Sequence, residues 1–122
     1  AEKSILINLK KYKIKLVCLA GFMKILSKNF LSNFNGIIVN IHPSLLPKYK
    51  GLNTHQRAIK ANENYSGCTV HYVNSKLDSG EIILQKKVKI FKKDNLKSLT
   101  KKVLKQEYLL YPKALNKIFS IL

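Results

Sequence analysis

The sequence predicts an α/β fold, a sheet covered by helices, from three observations. Helix-periodic and strand-like segments alternate along the chain, the strand-like runs are short and rich in β-branched residues, and Gly or Pro punctuates the junctions. Residues 1–12 place Ile5, Leu6, Leu9 and Tyr12 at helical spacing and predict an amphipathic helix. Residues 14–20 form a short apolar run that suits a buried strand, closed by Gly21. Residues 24–34 carry Ile25, Leu26, Phe30, Leu31 and Phe34 on one helical face, and Gly36 ends that helix. Residues 37–41 (IIVNI) predict a second buried strand, stopped by Pro43. Pro43, Pro47 and Gly51 make residues 42–53 a loop, after which Asn53 or Thr54 caps a helix to about residue 62. Residues 66–74 and 81–91 predict strands on either side of an Asp78-Ser79-Gly80 turn. The last helix runs from an N-cap at Asp94 to about Phe119, with Leu96, Leu99, Val103, Leu110 and Ala114 on one stripe and a kink expected at Pro112.

Composition sets the outer limits. The 122 residues suffice for one domain, and 46% hydrophobic residues fill a core despite a net charge of +17. Of the 23 basic residues only Arg57 is Arg, so the other 22 are Lys, and they are scattered rather than gathered into a stripe. Base readout and phosphate clamping favour Arg, so the charge reads as a solvated lysine surface that attracts anionic metabolites weakly, with no specific nucleic-acid partner. The longest apolar run, Leu16 to Met23, is far short of the ~18 residues of a membrane span. No signal-peptide zones open the chain, and the expected location is cytoplasmic. Cys18 and Cys68 lack CxxC spacing, which argues against a disulfide framework or a zinc site and leaves two reduced, buried thiols as the expectation. The chain starts at Ala1 rather than Met, as a fragment or a processed chain would.

Candidate chemistry gathers where the second strand ends. Asn40 and His42 are two residues apart, so on an extended backbone both side chains leave the same face, at the sheet edge where open α/β folds bind ligands. Asp78 follows a strand in its own turn; brought close to His42, it would raise the pKa of the imidazole and hold its orientation. An amide, an imidazole and a carboxylate suit acyl transfer: Asn40 donates to a developing oxyanion, His42 serves as acid or base, and Asp78 tunes it. The plain structural readings stand beside this one: Asn40 bonding loop backbone, His42 a satisfied, partly buried histidine, Asp78 ordinary turn chemistry. Glu107 falls on the apolar stripe of the last helix, so its carboxylate needs a partner: a ligand hydroxyl, a backbone donor or a nearby Lys.

The runs NIHPSLLPKYKG (Asn40 to Gly51), LAGFMKIL (Leu19 to Leu26), GCTVHYV (Gly67 to Val73) and LDSGEIILQ (Leu77 to Gln85) resemble, in order, the phosphoribosylglycinamide formyltransferases. The resemblance covers essentially the whole chain. It implies a formyltransferase-type open, mostly parallel sheet and transfer of a formyl group from 10-formyltetrahydrofolate to the amine of glycinamide ribonucleotide in purine biosynthesis, without a metal. It implies Asn40, His42 and Asp78 as the catalytic trio, with His42 a general acid. Met23, Lys24, Ile25 and Leu26, together with Asn40, would bind the folate, and Lys24 stands where Arg is common. Gly21 and Glu107 would bind the nucleotide, Glu107 through ribose hydroxyls. Thr69 and His71, on one strand face, would support the trio.

The resemblance departs at the N-terminus. The family opens with a strand and a Gly-x-Gly-Ser-Asn loop that cradles the substrate phosphate at a helix start. Nothing here matches it, so residues 1–122 are expected to form a partial formyltransferase domain lacking its N-terminal nucleotide-binding strands. Open sheet edges and self-association are then expected. The competing assignments are formyltetrahydrofolate hydrolase, another folate-dependent formyltransferase such as the methionyl-tRNA enzyme, and a non-catalytic basic fragment that binds polyanions through lysine.

Overall fold

The computed structural model of the chain describes residues 1–21 and 25–121. Among them the elements run α1 (Glu2–Lys11), β1 (Leu16–Ala20), α2 (Lys28–Asn33), β2 (Ile37–His42), α3 (Thr54–Lys60), β3 (Tyr65–Tyr72), β4 (Ile82–Lys89) and α4 (Leu96–Phe119). Each matches a predicted segment, β2 extending one residue past its predicted end and β3 starting one residue before its predicted start, and local hydrogen bonds explain the shifted helix boundaries. α2 starts late because Ser27 caps it, its Oγ accepting from the Phe30 amide at 3.0 Å. The Glu2 carboxylate of α1 in turn accepts from the amide and hydroxyl of Ser27. α4 is capped by Asn95, in a reciprocal box with Ser98, rather than by Asp94. Asp94 instead binds Lys102, the Phe91 amide and the Ser98 hydroxyl, and the Lys102 ammonium chiefly holds its carboxyl down at about 2. α4 runs unbroken through Pro112.

The sheet is open, with strand order β1-β2-β3-β4. Only β1 and β2 are parallel; β2–β3 and β3–β4 are antiparallel, so the mostly parallel sheet implied by the resemblance is corrected to a mixed one among the described residues. The reason lies in the connections. β1 and β2 are joined through α2, a crossover that lets the chain return in the same direction, whereas the turn between β3 and β4 has no helix and reverses it; the β2–β3 connection contains α3 yet brings β3 back antiparallel, so a helix in the link does not by itself make a parallel pair.

The two faces of the sheet are covered unequally. On one, β2, β3 and β4 pack against α4 through Val39, Ile41, Cys68, Val70, Leu99, Val103 and Ala114. On the other, Ile38 meets Leu26, Phe30 and Phe34, with Leu6 and Leu9 of α1 only partly buried. β1 is an edge strand, half-buried rather than buried as predicted, and Cys18 on it is exposed. Of the two expected buried thiols only Cys68 is one, and burial pushes it up to about 12. No helix among the described residues is long and apolar enough to cross a membrane.

Candidate active site

The alternation of β2 sends Val39 and Ile41 toward α4, and Ile38, Asn40 and His42 to the opposite face. Antiparallel register with β3 then sets His71 opposite Asn40 and Thr69 opposite His42. The turn after β3 brings in Asp78. It folds back so tightly that a Cβ on Gly80 would stand 1.6 Å from the Tyr72 carbonyl oxygen, an approach only glycine permits. Asn40, His42 and Asp78 therefore meet at the rim of the sheet, each no more than 6% exposed.

The hydrogen bonds fix the imidazole states. His42 Nε2 lies 2.9 Å from the Tyr49 carbonyl oxygen, which can only accept, so Nε2 carries the proton and Nδ1 is bare in the neutral ring. That Nδ1 faces Asp78 Oδ2 at 3.5 Å. His71 repeats the pattern: Nδ1 donates to its neighbour's carbonyl at Tyr72, and the bare Nε2 lies 3.9 Å from Asp78 Oδ1, buried and otherwise unpaired among the described residues. Asp78 also accepts from the Gly51 amide at 2.9 Å. A carboxylate flanked by two unprotonated ring nitrogens is a place to receive and pass on a proton. Asn40 Oδ1 is buried without a partner among the described residues, so the plain reading in which this amide bonds loop backbone fails for that atom.

Burial, the largest influence, holds the His42 pKa below the ordinary histidine range; the Tyr49 carbonyl and the Asp78 charge pull it upward less strongly. The raised pKa expected from Asp78 alone is thus corrected: its pull has the expected sign and desolvation outweighs it. His55 is held low by the same cause. Asp78 sits at φ +48 and Tyr49 at φ +55, left-handed conformations that cost energy in non-glycine residues.

The loop after β2 is clamped to the sheet. Thr69 Oγ1 donates to the Ser44 carbonyl and accepts from the Leu46 amide, Gln85 Nε2 donates to the Leu46 carbonyl at 2.8 Å, and Thr54 Oγ1 donates to the Pro43 carbonyl at 2.7 Å. Clefts open on two sides. One, about 350 Å³, is lined by Pro43, Thr54, His55, Leu104 and Glu107, among others. Burial raises the Glu107 pKa, and its carboxylate makes no hydrogen bond or ion pair with the described residues, so a nearby Lys is not its partner. The other, a narrow one, has Leu19, Ile25 and Leu26 as apolar wall and Asn40 and Asp78 at its polar end.

Of the predicted site residues, Asn40, His42 and Asp78 come together, Ile25 and Leu26 adjoin them in the narrow cleft, and Glu107 lines the wider cleft together with Pro43. Gly21 ends β1 at φ +65, exposed, with no described residue within 4 Å of a Cβ placed there. Met23 and Lys24 lie outside the described residues. Sequence reasoning missed His55, Arg57 and Gln85. The available signals were His55 in the first turn of a helix that follows the His-Pro loop, and Arg57 as the lone Arg of a lysine-rich chain. Among the described residues no three His, Cys, Asp or Glu side chains are grouped to hold a metal ion.

A family profile described as formyl transferase matches residues 1–115. A phosphoribosylglycinamide formyltransferase of Haemophilus influenzae is 52% identical over 104 residues, covering 85% of this chain and 49% of that protein. The trifunctional purine biosynthetic protein adenosine-3 of Homo sapiens is 42% identical over 119 residues, covering 98% of this chain and 12% of that protein. The crystal structure of phosphoribosylglycinamide formyltransferase from Bacillus halodurans superposes with a TM-score of 0.92 at 43% identity, over 98% of this chain and 61% of that one. The chain thus spans about half the length of the Haemophilus relative and far less of the trifunctional one.

Proposed function

The chain belongs to the formyl transferase family, and from that premise we propose that it carries the reacting end of a phosphoribosylglycinamide formyltransferase domain. The proposed reaction moves the formyl group of 10-formyltetrahydrofolate to the amine of glycinamide ribonucleotide. The observation that carries the reading is the convergence of Asn40, His42 and Asp78 between two clefts of different character. The apolar wall of Leu19, Ile25 and Leu26 suits a flat heterocycle, whose entry requires exposed Ile25 and the 74–77 segment to give way because the cleft is narrow. Met23 and Lys24 are assigned to the same folate site. The unpaired carboxylate of Glu107 suits ribose hydroxyls, and Gly21 is assigned to the nucleotide side. The chain has no counterpart of the phosphate-cradling Gly-x-Gly-Ser-Asn loop, so residues 1–122 are read as part of such a domain.

The chemistry follows from the groups. The neutral amine attacks the formyl carbon, a C–N bond forms, and negative charge grows on the formyl oxygen. The Asn40 amide donates to that oxygen. Asp78 takes the proton the amine must lose and passes it to the bare His42 Nδ1, 3.5 Å away, which then donates to the same oxygen. Collapse breaks the bond to the folate nitrogen, and the proton on His42 moves to that nitrogen, leaving the ring neutral again.

The test is formyl transfer by purified protein containing this chain, with and without the amine acceptor. His42→Ala and Asn40→Ala are each expected to slow transfer about 10²–10³-fold, the loss typical of one oxyanion donor. Undiminished transfer by His42→Ala overturns its role. Formate release at the same rate without the acceptor makes the protein a hydrolase instead. Polyanion binding that weakens steeply with salt, without affinity for folate, reduces it to a basic fragment.

A further inference from the structure

Residues 49–51 make three successive contacts with the site. Tyr49 O accepts from His42 Nε2, Lys50 Nζ donates to Ser79 Oγ at 2.9 Å in the turn that carries Asp78, and the Gly51 amide donates to Asp78 Oδ2. The segment does not hold this shape by local preference, since Tyr49 at φ +55 and Gly51 at φ +85 are both left-handed. One side chain outside the loop grips it. Arg57, on α3, stacks its guanidinium over the Tyr49 ring at 5.4 Å and donates from a terminal nitrogen to the Lys50 carbonyl. Its Nε is buried with no partner among the described residues, so that one nitrogen of the half-buried group has given up water to lie there. A planar guanidinium meets the ring and the carbonyl through different atoms held in one fixed geometry, which a lysine ammonium, a single point charge on a flexible stem, does not reproduce. Arg57 is also the only Arg in a chain that otherwise uses Lys for every cation.

We propose that Arg57 is a positioning residue of the site: by holding Tyr49 and Lys50 it sets the loop that bonds both His42 and Asp78. The inference rests on the reading of His42 and Asp78 as reacting groups, and it adds a residue that touches neither substrate. The guanidinium charge also opposes protonation of His42, in the same direction as the neighbouring His71. Arg57→Lys therefore separates the two effects, keeping the charge and removing the fork, whereas Arg57→Gln removes both.

The experiment is nuclear magnetic resonance of the ¹⁵N-labelled chain, following the His42 ring nitrogens through a pH titration and the exchange of backbone amides. In the wild type, His42 is the Nε2–H tautomer and titrates below the ordinary histidine range. In Arg57→Lys, the Gly51 amide exchanges at least about tenfold faster, as loss of one charge-assisted hydrogen bond implies. The Nε2–H tautomer becomes mixed, while the Val70 amide in the core is unchanged. Arg57→Gln, which also removes the charge that opposes protonation, gives a higher His42 midpoint than Arg57→Lys. Tyr49→Leu, which removes the ring from the other side, gives the same ring and Gly51 responses and serves if the Arg57 variants fail to fold. Wild-type Gly51 exchange and an unaltered His42 ring in a folded Arg57→Lys or Tyr49→Leu protein overturn the proposal. In active enzyme, Arg57→Lys lowers kcat about tenfold with KM within twofold. An inactive wild type with an intact ring response fails only the formyl-transfer reading; active enzyme indifferent to Arg57 fails only this one.

Discussion

Lysines guard one edge of the sheet and leave the other bare. β4 presents Lys86, Lys87 and Lys89 along its free side, a charged edge that discourages pairing with another strand. β1, LVCLA, has no charged residue and is also free among the described residues. The packing differs in the same sense. Beneath β3 and β4 lies α4, with Leu99, Val103 and Ala114 at 0% exposure, whereas α1, on the side of β1, buries no residue fully. The β4 side is finished and the β1 side is open to a partner strand. His42 and Asn40 stand on β2, between the two, so rigid backing and open access coincide at the reacting groups.

Three perturbations probe that contrast, taken from the largest expected effect. Leu99→Ala empties a fully buried position and is expected to cost about 2–5 kcal/mol in urea unfolding, while Leu9→Ala on half-buried α1 costs about 1 kcal/mol or less. Equal costs would erase the distinction between the two faces. Next comes pH. His42 and His55 both have pKa values lowered chiefly by burial, so below the ordinary ~6.5 the unfolded chain binds protons that the folded chain refuses. Stability is therefore complete above about pH 6.5 and falls as the pH drops below it, by up to about 1.4 kcal/mol per pH unit for each imidazole. His55→Gln should halve that slope, and a flat urea midpoint between pH 7.5 and 5 would contradict the burial of these rings. The smallest effect concerns the edges. Sedimentation velocity over a range of concentrations should show self-association of the chain, reduced by Cys18→Lys on β1 and unaffected by Lys87→Ala on β4. Association indifferent to Cys18→Lys would move the sticky surface elsewhere.

Much of this was legible in one dimension. The β-branched run 37–41 stopped by Pro43, and the spacing of Asn40 and His42, already place an amide and an imidazole on one face at a strand end, because side-chain direction alternates with period two. The inward Glu107 was legible from its place on the helical stripe of Leu99, Val103 and Leu110. Other features were not. Half-buried β1 resembles a buried strand because five apolar residues look the same at an edge as in the middle. Asp94 was expected to cap α4, yet the cap is Asn95, since neighbouring Asp and Asn offer equally good acceptors and the Lys102 ammonium claims the Asp. The pKa direction of His42 is not legible in the sequence, because a carboxylate neighbour can be inferred there while desolvation cannot.

By itself the sequence determined the order and type of the elements, the same-face pair Asn40 and His42, and the carriers of charge, because each depends on residues a few positions apart. Tertiary structure alone decided that Asp78 lies 3.5 Å from His42 and that Arg57 grips the loop binding both. It also decided that burial outweighs that carboxylate. These depend on register, close approach and exclusion of water, which exist only once distant stretches of chain have packed together.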